Sequence, residues 1–244
     1  MVAVSLKKKA CMPLANLHSV PFGKDQVSIA VSHSGMGSGH LGIAFHTVKE
    51  GPKVLHLAWH KDLRLDCVSP DLKQCWGAET LSVPPVASKA VVAIVRGVAS
   101  KFASVNYGLN FIAAKGSFSA NGVYKAPKGS DGLTCASYVV EVLRAASINL
   151  LALDTWEKTV QNETWGNEVC DLLQRDPKNA DHVEAVKKNI NGLRVRPFEV
   201  VAAARIGREH WPCSFPIASN EAEVVKAELF GICPVPVQPN LVQT

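Results

Sequence analysis

Three residues have the types needed for nucleophilic attack on a carbonyl group: His40, His56 and Cys135. The two histidines lie sixteen positions apart in GHLGIAFHTVKEGPKVLHLAWH, residues 39–60, and the cysteine lies far downstream in GLTCASYVVEVL. A thiol that loses its proton to an imidazole becomes a nucleophile, and a second polar group can hold that imidazole in place. The residue types therefore make Cys135 a candidate nucleophile, His40 a candidate base and His56 a candidate orienting group.

The stretch 39–60 predicts an antiparallel hairpin that would bring the two histidines together. Leu41, Ile43 and Phe45 alternate with other residues as in a half-buried strand, and Glu50-Gly51-Pro52 predicts the turn. Cross-strand neighbours lie ~5 Å apart, so this pairing would place two imidazoles side by side.

Cys135 is predicted to lie in the first turn of a helix over Ser130–Ser147, with Ser130, Asp131 and Thr134 as capping candidates. Unsatisfied backbone N–H groups and the helix dipole favour a thiolate there, so we expect the pKa of Cys135 to be lowered. The same N–H groups can face a developing oxyanion.

The remaining elements follow from periodicity and from proline and glycine positions. Gln26 to Ser32 alternates as a strand, and the glycine-rich residues 34–39 read as a hairpin connection that lets a ligand approach His40 past Gly39. Residues 1–24 are predicted to form an irregular arm. Residues 62–81 are predicted to be mainly loop with room for one short strand, and residues 106–128 are predicted to be loop. Helices are predicted over Val86–Phe102, Asn162–Gln174, Ala180–Asn191, Pro197–Ala204 and Asn220–Phe230.

Composition is that of one globular domain over residues 1–244. Apolar residues make up 47% and charged residues 19% of the chain, which argues against a disordered protein. The net charge of +5 permits an acidic partner without requiring one, and we expect no nucleic acid. No signal peptide or membrane-spanning run is visible, so we expect a cytoplasmic protein unless a non-classical route delivers it.

The cysteine pattern predicts free thiols. Seven cysteines is an odd number, their spacing is irregular and no CxxC occurs. We therefore expect a reducing compartment and no disulfide among the six cysteines other than Cys135. These six are Cys11, Cys67, Cys75, Cys170, Cys213 and Cys233.

Several alternatives stay open on residue types alone. Cys135 could be a packing residue, because buried cysteine is common in protein cores. His60 competes with His56, since four positions of a strand return to the same face. A metal site from His40, His56, His60 and a cysteine would activate water instead, although it lacks the usual ligand spacing. A non-catalytic scaffold that binds lipid or a partner through Val86–Phe102 is the third alternative.

The segments GHLGIAFH, VLHLA and GLTCASYVVEVL together resemble the circularly permuted branch of the NlpC-type papain-like cysteine hydrolases, which includes relatives of lecithin:retinol acyltransferase. In that family the histidine strand precedes the nucleophile helix, and His40, His56 and Cys135 match the base, the orienting residue and the nucleophile. Tyr107 in NYGLNF resembles an aromatic segment before the nucleophile. The sequence departs from the family pattern at Ala44-Phe45, where tyrosine is frequent, and at Thr134, where asparagine or tyrosine is common.

The resemblance implies an α+β, papain-like fold: a small antiparallel sheet packed against helices, in permuted order, with a catalytic core over about 26–147 and extra helices over about 148–233. It implies amide-bond cleavage through an acyl-thioester, with cell-wall-type peptides as substrates, or lipid acyl transfer or deacylation by the same chemistry. Tyr107, Gly39 and Thr134 are the candidate substrate-binding residues. No metal or cofactor is expected, and the partner would be a peptide or acyl-containing substrate, with peripheral lipid contact left open.

Overall fold

The computed structural model describes residues 13–19, 23, 26–34, 38–47, 51–69, 72, 74–101 and 104–234. Over these residues the protein is α+β, with a six-stranded antiparallel sheet and six α-helices. The coarse fold class predicted from the sequence is therefore confirmed.

The sheet has the strand order β1-β6-β2-β3-β4-β5, and every neighbouring pair is antiparallel. The central strands were predicted, whereas residues 62–81, predicted as mainly loop with one short strand, contain two strands. Leu63 and Leu65 alternate with polar residues, which is enough for an edge strand with one half-buried face. The strands are β1 (Ala15–Asn16), β2 (Val27–Ser32), β3 (His40–Thr47), β4 (Gly51–Trp59), β5 (Asp62–Cys67) and β6 (Gly77–Thr80).

The predicted hairpin is present as β3 and β4, with Ile43 opposite Leu55. Its turn is displaced from the prediction, because Gly51 and Pro52 already belong to β4 and pair with Thr47 and His46. Glu50, the remaining residue of the predicted turn, lies outside the described residues.

The six helices agree with the predicted helical segments, with shifted ends. The start of the helix that carries Cys135 is shifted by five residues, because the helix begins at Cys135 itself and not at Ser130. Thr134 is its N-cap, while Asp131 accepts hydrogen bonds from the backbone N–H groups of Leu109 and Asn110. The helices are α1 (Pro85–Lys101), α2 (Cys135–Ala145), α3 (Val160–Gln174), α4 (Ala180–Lys187), α5 (Pro197–Ile206) and α6 (Phe215–Ile232).

The main core lies between one face of the sheet and the helices. Helix α2 packs on β3 and β4, α5 packs on β2 and β6, and α1 packs on α2 and β2. Odd-numbered residues of β3, such as Leu41 and Ile43, point into this core. A smaller cluster that contains Ala44, Val54 and Trp76 covers the opposite face. The even-numbered positions of β3 and β4, which include His40 and His56, therefore belong to that second face.

Cys75 and Cys233 form a disulfide, so the prediction that both are free thiols is wrong. The bond joins residues 158 positions apart, just before β6 and at the end of α6, and no local spacing announces such a pair. Cys67, Cys135, Cys170 and Cys213 are free, whereas Cys11 lies outside the described residues. The expectation of a reducing compartment rested on the prediction of free thiols, so the disulfide removes that support.

A thiol count tests the disulfide directly. Protein denatured without reductant should titrate two fewer thiols than the seven cysteines of the sequence, and reduction should restore them. Breaking a bond that closes so long a loop should lower the free energy of unfolding by ~5 kcal/mol in the chain-entropy treatment, measured by urea denaturation. Seven reactive thiols before reduction would contradict the assignment.

Candidate active site

His40, His56 and Asp66 form a continuous hydrogen-bonded row across three neighbouring strands. His40 Nε2 lies 2.8 Å from His56 Nδ1, and His56 Nε2 lies 3.0 Å from Asp66 Oδ2. The strand register produces this row, because β3, β4 and β5 are adjacent and all three side chains lie on the second face of the sheet. The predicted pairing of His40 with His56 is thus found, with a carboxylate behind it.

The row fixes which nitrogen carries each hydrogen. An ionised carboxylate can only accept, so His56 must donate to Asp66 from Nε2 and accept at Nδ1. His40 then donates to His56 from Nε2, which leaves the lone pair on His40 Nδ1. The imidazole of His40 is therefore held in the tautomer that can accept a proton at Nδ1.

Packing around Trp76 holds both rings in place. The Trp76 ring lies 5.6 Å from the His40 ring and 5.3 Å from the His56 ring, centroid to centroid, and its side chain is fully buried. Gly42 gives His56 its space, because a Cβ there would lie 3.0 Å from His56 Cβ and 2.6 Å from Val54 Cγ1. The small residue between the histidines is thus a steric requirement of the row.

Cys135 and His40 line one cavity of about 430 Å³ at the end of the sheet where β3 begins. Helix α2 packs on β3 so that a backbone hydrogen bond from Leu41, the residue after His40, reaches the Cys135 thiol. The sulfur therefore lies beside the peptide unit that joins His40 to Leu41. No hydrogen bond joins the thiol to the imidazole within the described part of the chain. The cavity is lined by Ser34, Ser38, Gly39, His40, Ala58, Trp59, Tyr107, Cys135, Leu172 and Arg175.

The pKa of Cys135 is raised by burial, and the expectation of a lowered pKa is wrong. The side chain is only 6% exposed, so the thiolate loses hydration. Backbone hydrogen bonds from Leu41, Ala136 and Cys135 itself and the positive charge of Arg194 oppose this effect but do not outweigh it. The resting Cys135 thiol is consequently neutral near pH 7.

The histidines of the row are also neutral near pH 7. Burial, the neighbouring His56 and the charge of Arg64 lower the pKa of His40 to about 3. Burial likewise lowers the pKa of His56, although Asp66 opposes that change. His40 therefore remains able to accept a proton at pH values where an ordinary histidine is already charged.

His60, the competing histidine, does not join the row. It lies in the turn after β4, accepts a hydrogen bond at Nδ1 from the backbone N–H of Tyr107, and stacks on His182 with ring centroids 4.4 Å apart. His182 Nε2 lies 2.7 Å from the Tyr107 carbonyl oxygen, so the two histidines hold the Tyr107 backbone. Between His56 and His60, the geometry brings only His56 to His40.

The three candidate substrate-binding residues have different positions. Tyr107 lines the cavity and packs against Trp59 at a centroid distance of 4.6 Å. Gly39 also lines it, with a φ of +77°, and a Cβ there would lie 3.1 Å from the Phe198 ring. Among the described residues Thr134 does not line the cavity; it is buried and caps α2 through a hydrogen bond from the Ser137 backbone N–H to its hydroxyl.

Two residues of the site were not predicted from the sequence. Asp66 was missed because residues 62–81 were predicted as mainly loop and their one short strand was not placed, although the alternation in DLRLDC is a strand signal that places Asp66 on one face. Arg194, whose charge acts on Cys135, lies between α4 and α5, and no local pattern in the sequence connects it with the nucleophile.

No group of three histidine, cysteine, aspartate or glutamate side chains among the described residues is placed to hold a metal ion. In the same part of the chain, no helix is long and apolar enough to cross a bilayer. Comparison with known proteins found no matching family model, no matching curated protein and no matching solved structure.

Proposed function

We propose that the protein is a thiol-dependent hydrolase that cleaves amide bonds through an acyl-thioester on Cys135. The observation that carries this proposal is the His40–His56–Asp66 row, which leaves a proton-accepting nitrogen on His40, a residue that lines the same cavity as a buried thiol at a helix N-terminus. A packing cysteine needs no such arrangement. The papain-like character and the permuted order inferred from the sequence belong to this proposal.

The reaction begins with a neutral pair. His40 Nδ1 takes the thiol proton as Cys135 Sγ attacks the carbonyl carbon, and the carbonyl oxygen becomes an oxyanion that the backbone N–H groups at the start of α2 can stabilise. Collapse of this intermediate breaks the C–N bond, and the imidazolium returns its proton to the leaving amine. Asp66 stabilises the transient charge through His56.

Hydrolysis of the thioester repeats the sequence with water as nucleophile. His40 accepts a proton from water, the hydroxide oxygen bonds to the acyl carbon, and Cys135 leaves and recovers the proton. The products are a carboxylic acid, an amine and the original enzyme. Replacing water by an alcohol or amine acceptor gives the acyl-transfer alternative, so the product formed distinguishes hydrolysis from transfer.

Trapping the acyl-enzyme tests the proposal without knowledge of the natural substrate. After incubation with p-nitrophenyl acetate and acid quenching, peptide mass spectrometry should find one acetyl group on Cys135. Cys67 is the internal control, because it is exposed and free and does not line the cavity that His40 lines. Acetylation that falls mainly on Cys67 would overturn the proposal.

The pH dependence of the reaction should reflect the lowered pKa of His40. Because the pKa of His40 is lowered, the base stays neutral as the pH falls. The rate should therefore not decrease around pH 6.5, where an ordinary histidine becomes protonated. We expect kcat/KM for an activated ester to change by less than about twofold between pH 8 and pH 5.

The control for this measurement is the folded state at each pH, followed by circular dichroism. A loss of about tenfold per pH unit below 6.5, with the fold intact, would show that the base titrates as an ordinary, solvated histidine.

A further inference from the structure

A second cavity, of about 240 Å³, lies next to the candidate active site and is rich in cations. Ser38 lines both cavities, so they meet at the segment that leads into β3. Arg194, Arg196 and Lys226 line the second cavity, and none of them forms an ion pair within the described part of the chain.

Three cations and two carboxylates line this cavity, and one of the carboxylates, Glu199, acts electrostatically on Arg194 and Arg196. Glu199 is 3% exposed and already accepts hydrogen bonds from Trp156 Nε1 at 3.1 Å and from the Arg196 backbone N–H at 2.8 Å. Glu223 is on the exposed side of α6. Three cations therefore face one solvated carboxylate and one that is already engaged.

Arg194 is the central cation, and it is fixed without a carboxylate partner. Its guanidinium carbon lies 3.6 Å from the centroid of the Trp165 ring, and the protein supplies no hydrogen-bond acceptor to its N–H groups among the described residues. Stacking on an aromatic ring leaves the edge of the guanidinium available for a bidentate acceptor. The charge of Arg194 also acts on Cys135 and Tyr107, which line the first cavity.

We propose that the second cavity is a subsite for a carboxylate carried by the acyl donor, with Arg194 as its main ligand and Arg196 and Lys226 beside it. The proposal rests on the proposed function and specifies its substrate class: an anionic, peptide-like donor whose carboxylate lies near the scissile bond. A long neutral acyl chain would leave the half-buried guanidinium of Arg194 without a hydrogen-bond partner, which is costly.

Two activated esters with the same leaving group test the subsite: the mono-p-nitrophenyl ester of glutarate, which carries a carboxylate, and p-nitrophenyl valerate, which is neutral. The wild-type protein should favour the glutarate ester in kcat/KM by about 10- to 100-fold at low salt, the range of charge-assisted hydrogen bonds. Arg194→Gln should bring that ratio close to 1. Arg194→Lys keeps the positive charge but loses the planar guanidinium, so it should retain part of the preference for the glutarate ester. This variant also serves as a control for a folding defect.

Arg96→Gln is the matched control, because Arg96 is an exposed arginine of α1 that lines neither cavity. A wild-type ratio near 1, or a ratio that Arg194→Gln leaves unchanged, would overturn the subsite. Preferred hydrolysis of a short-chain phosphatidylglycerol, dependent on Arg194 and without preference for glutarate, would overturn it in favour of a phosphate headgroup. Cys135→Ala separates the two proposals. If this variant hydrolyses both esters at the wild-type rate, the proposed function fails. If the variant is inactive but the wild-type protein shows no preference for the glutarate ester, only the subsite is overturned.

Discussion

Replacing Cys135 by alanine should lower the hydrolysis of any acyl donor by at least about 10³-fold, because no other nucleophile can form the thioester. The fold should survive, since the loss of one buried sulfur atom leaves only a small cavity and should cost about 1 kcal/mol of unfolding free energy. Steady-state hydrolysis of p-nitrophenyl acetate, corrected for the uncatalysed rate, measures the first effect, and urea denaturation measures the second.

Cys170 and Cys213 supply the matched controls. Both are buried, free thiols, and neither lines the candidate active-site cavity. Alanine at either position should leave the rate within about twofold of wild type, although stability should fall slightly. Equal losses for all three variants would mean that the cysteines act through packing alone.

Replacing Asp66 by asparagine should lower kcat by about 10²- to 10⁴-fold with little change in KM. The asparagine amide can donate to His56 Nε2, which favours the hydrogen on His56 Nδ1 and reverses the bond to His40. His40 Nδ1 would then carry a hydrogen and could not accept the proton of the thiol. The substitution removes no volume, so the loss of kcat reports the direction of the hydrogen bonds in the row and not a change in packing.

Asp62→Asn is the control for this prediction. Asp62 lies on the same strand and pairs with Arg64, but among the described residues it does not contact either histidine of the row. It should retain most of the wild-type kcat. If both asparagine variants lose the same activity, general charge near the site, and not the tautomer of His40, determines the rate.

The parts of the site that follow local patterns were predictable from the sequence. Alternation in β3 and β4 predicted the hairpin and hence the meeting of His40 with His56. The position of Cys135 in the first turn of a helix was predicted with Ser130, Asp131 and Thr134 as capping candidates, and Thr134 is the one that caps α2. Both are signals within a few residues, which is the range over which periodicity and capping operate.

The parts that depend on distant residues were not predictable. The pKa of Cys135 illustrates this: the local helix N-terminus favours the thiolate, but burial under the rest of the chain outweighs it. Arg194 and the Cys75–Cys233 disulfide come from the folding of the C-terminal helices against the sheet, over separations that no sequence pattern encodes.

The rate at which Cys135 is acylated in the wild-type protein and in His40→Gln tests the central claim most directly. In stopped-flow measurements with excess p-nitrophenyl acetate at pH 7, the wild-type protein should release a burst of p-nitrophenol equal to one thiol per chain. His40→Gln should lose about 10²- to 10⁴-fold of the burst rate at this pH, and the difference should narrow as the pH is raised, because a growing share of the thiol then ionises without a base. An equal burst rate in the two proteins at pH 7 would contradict the assignment of His40 as the base for Cys135.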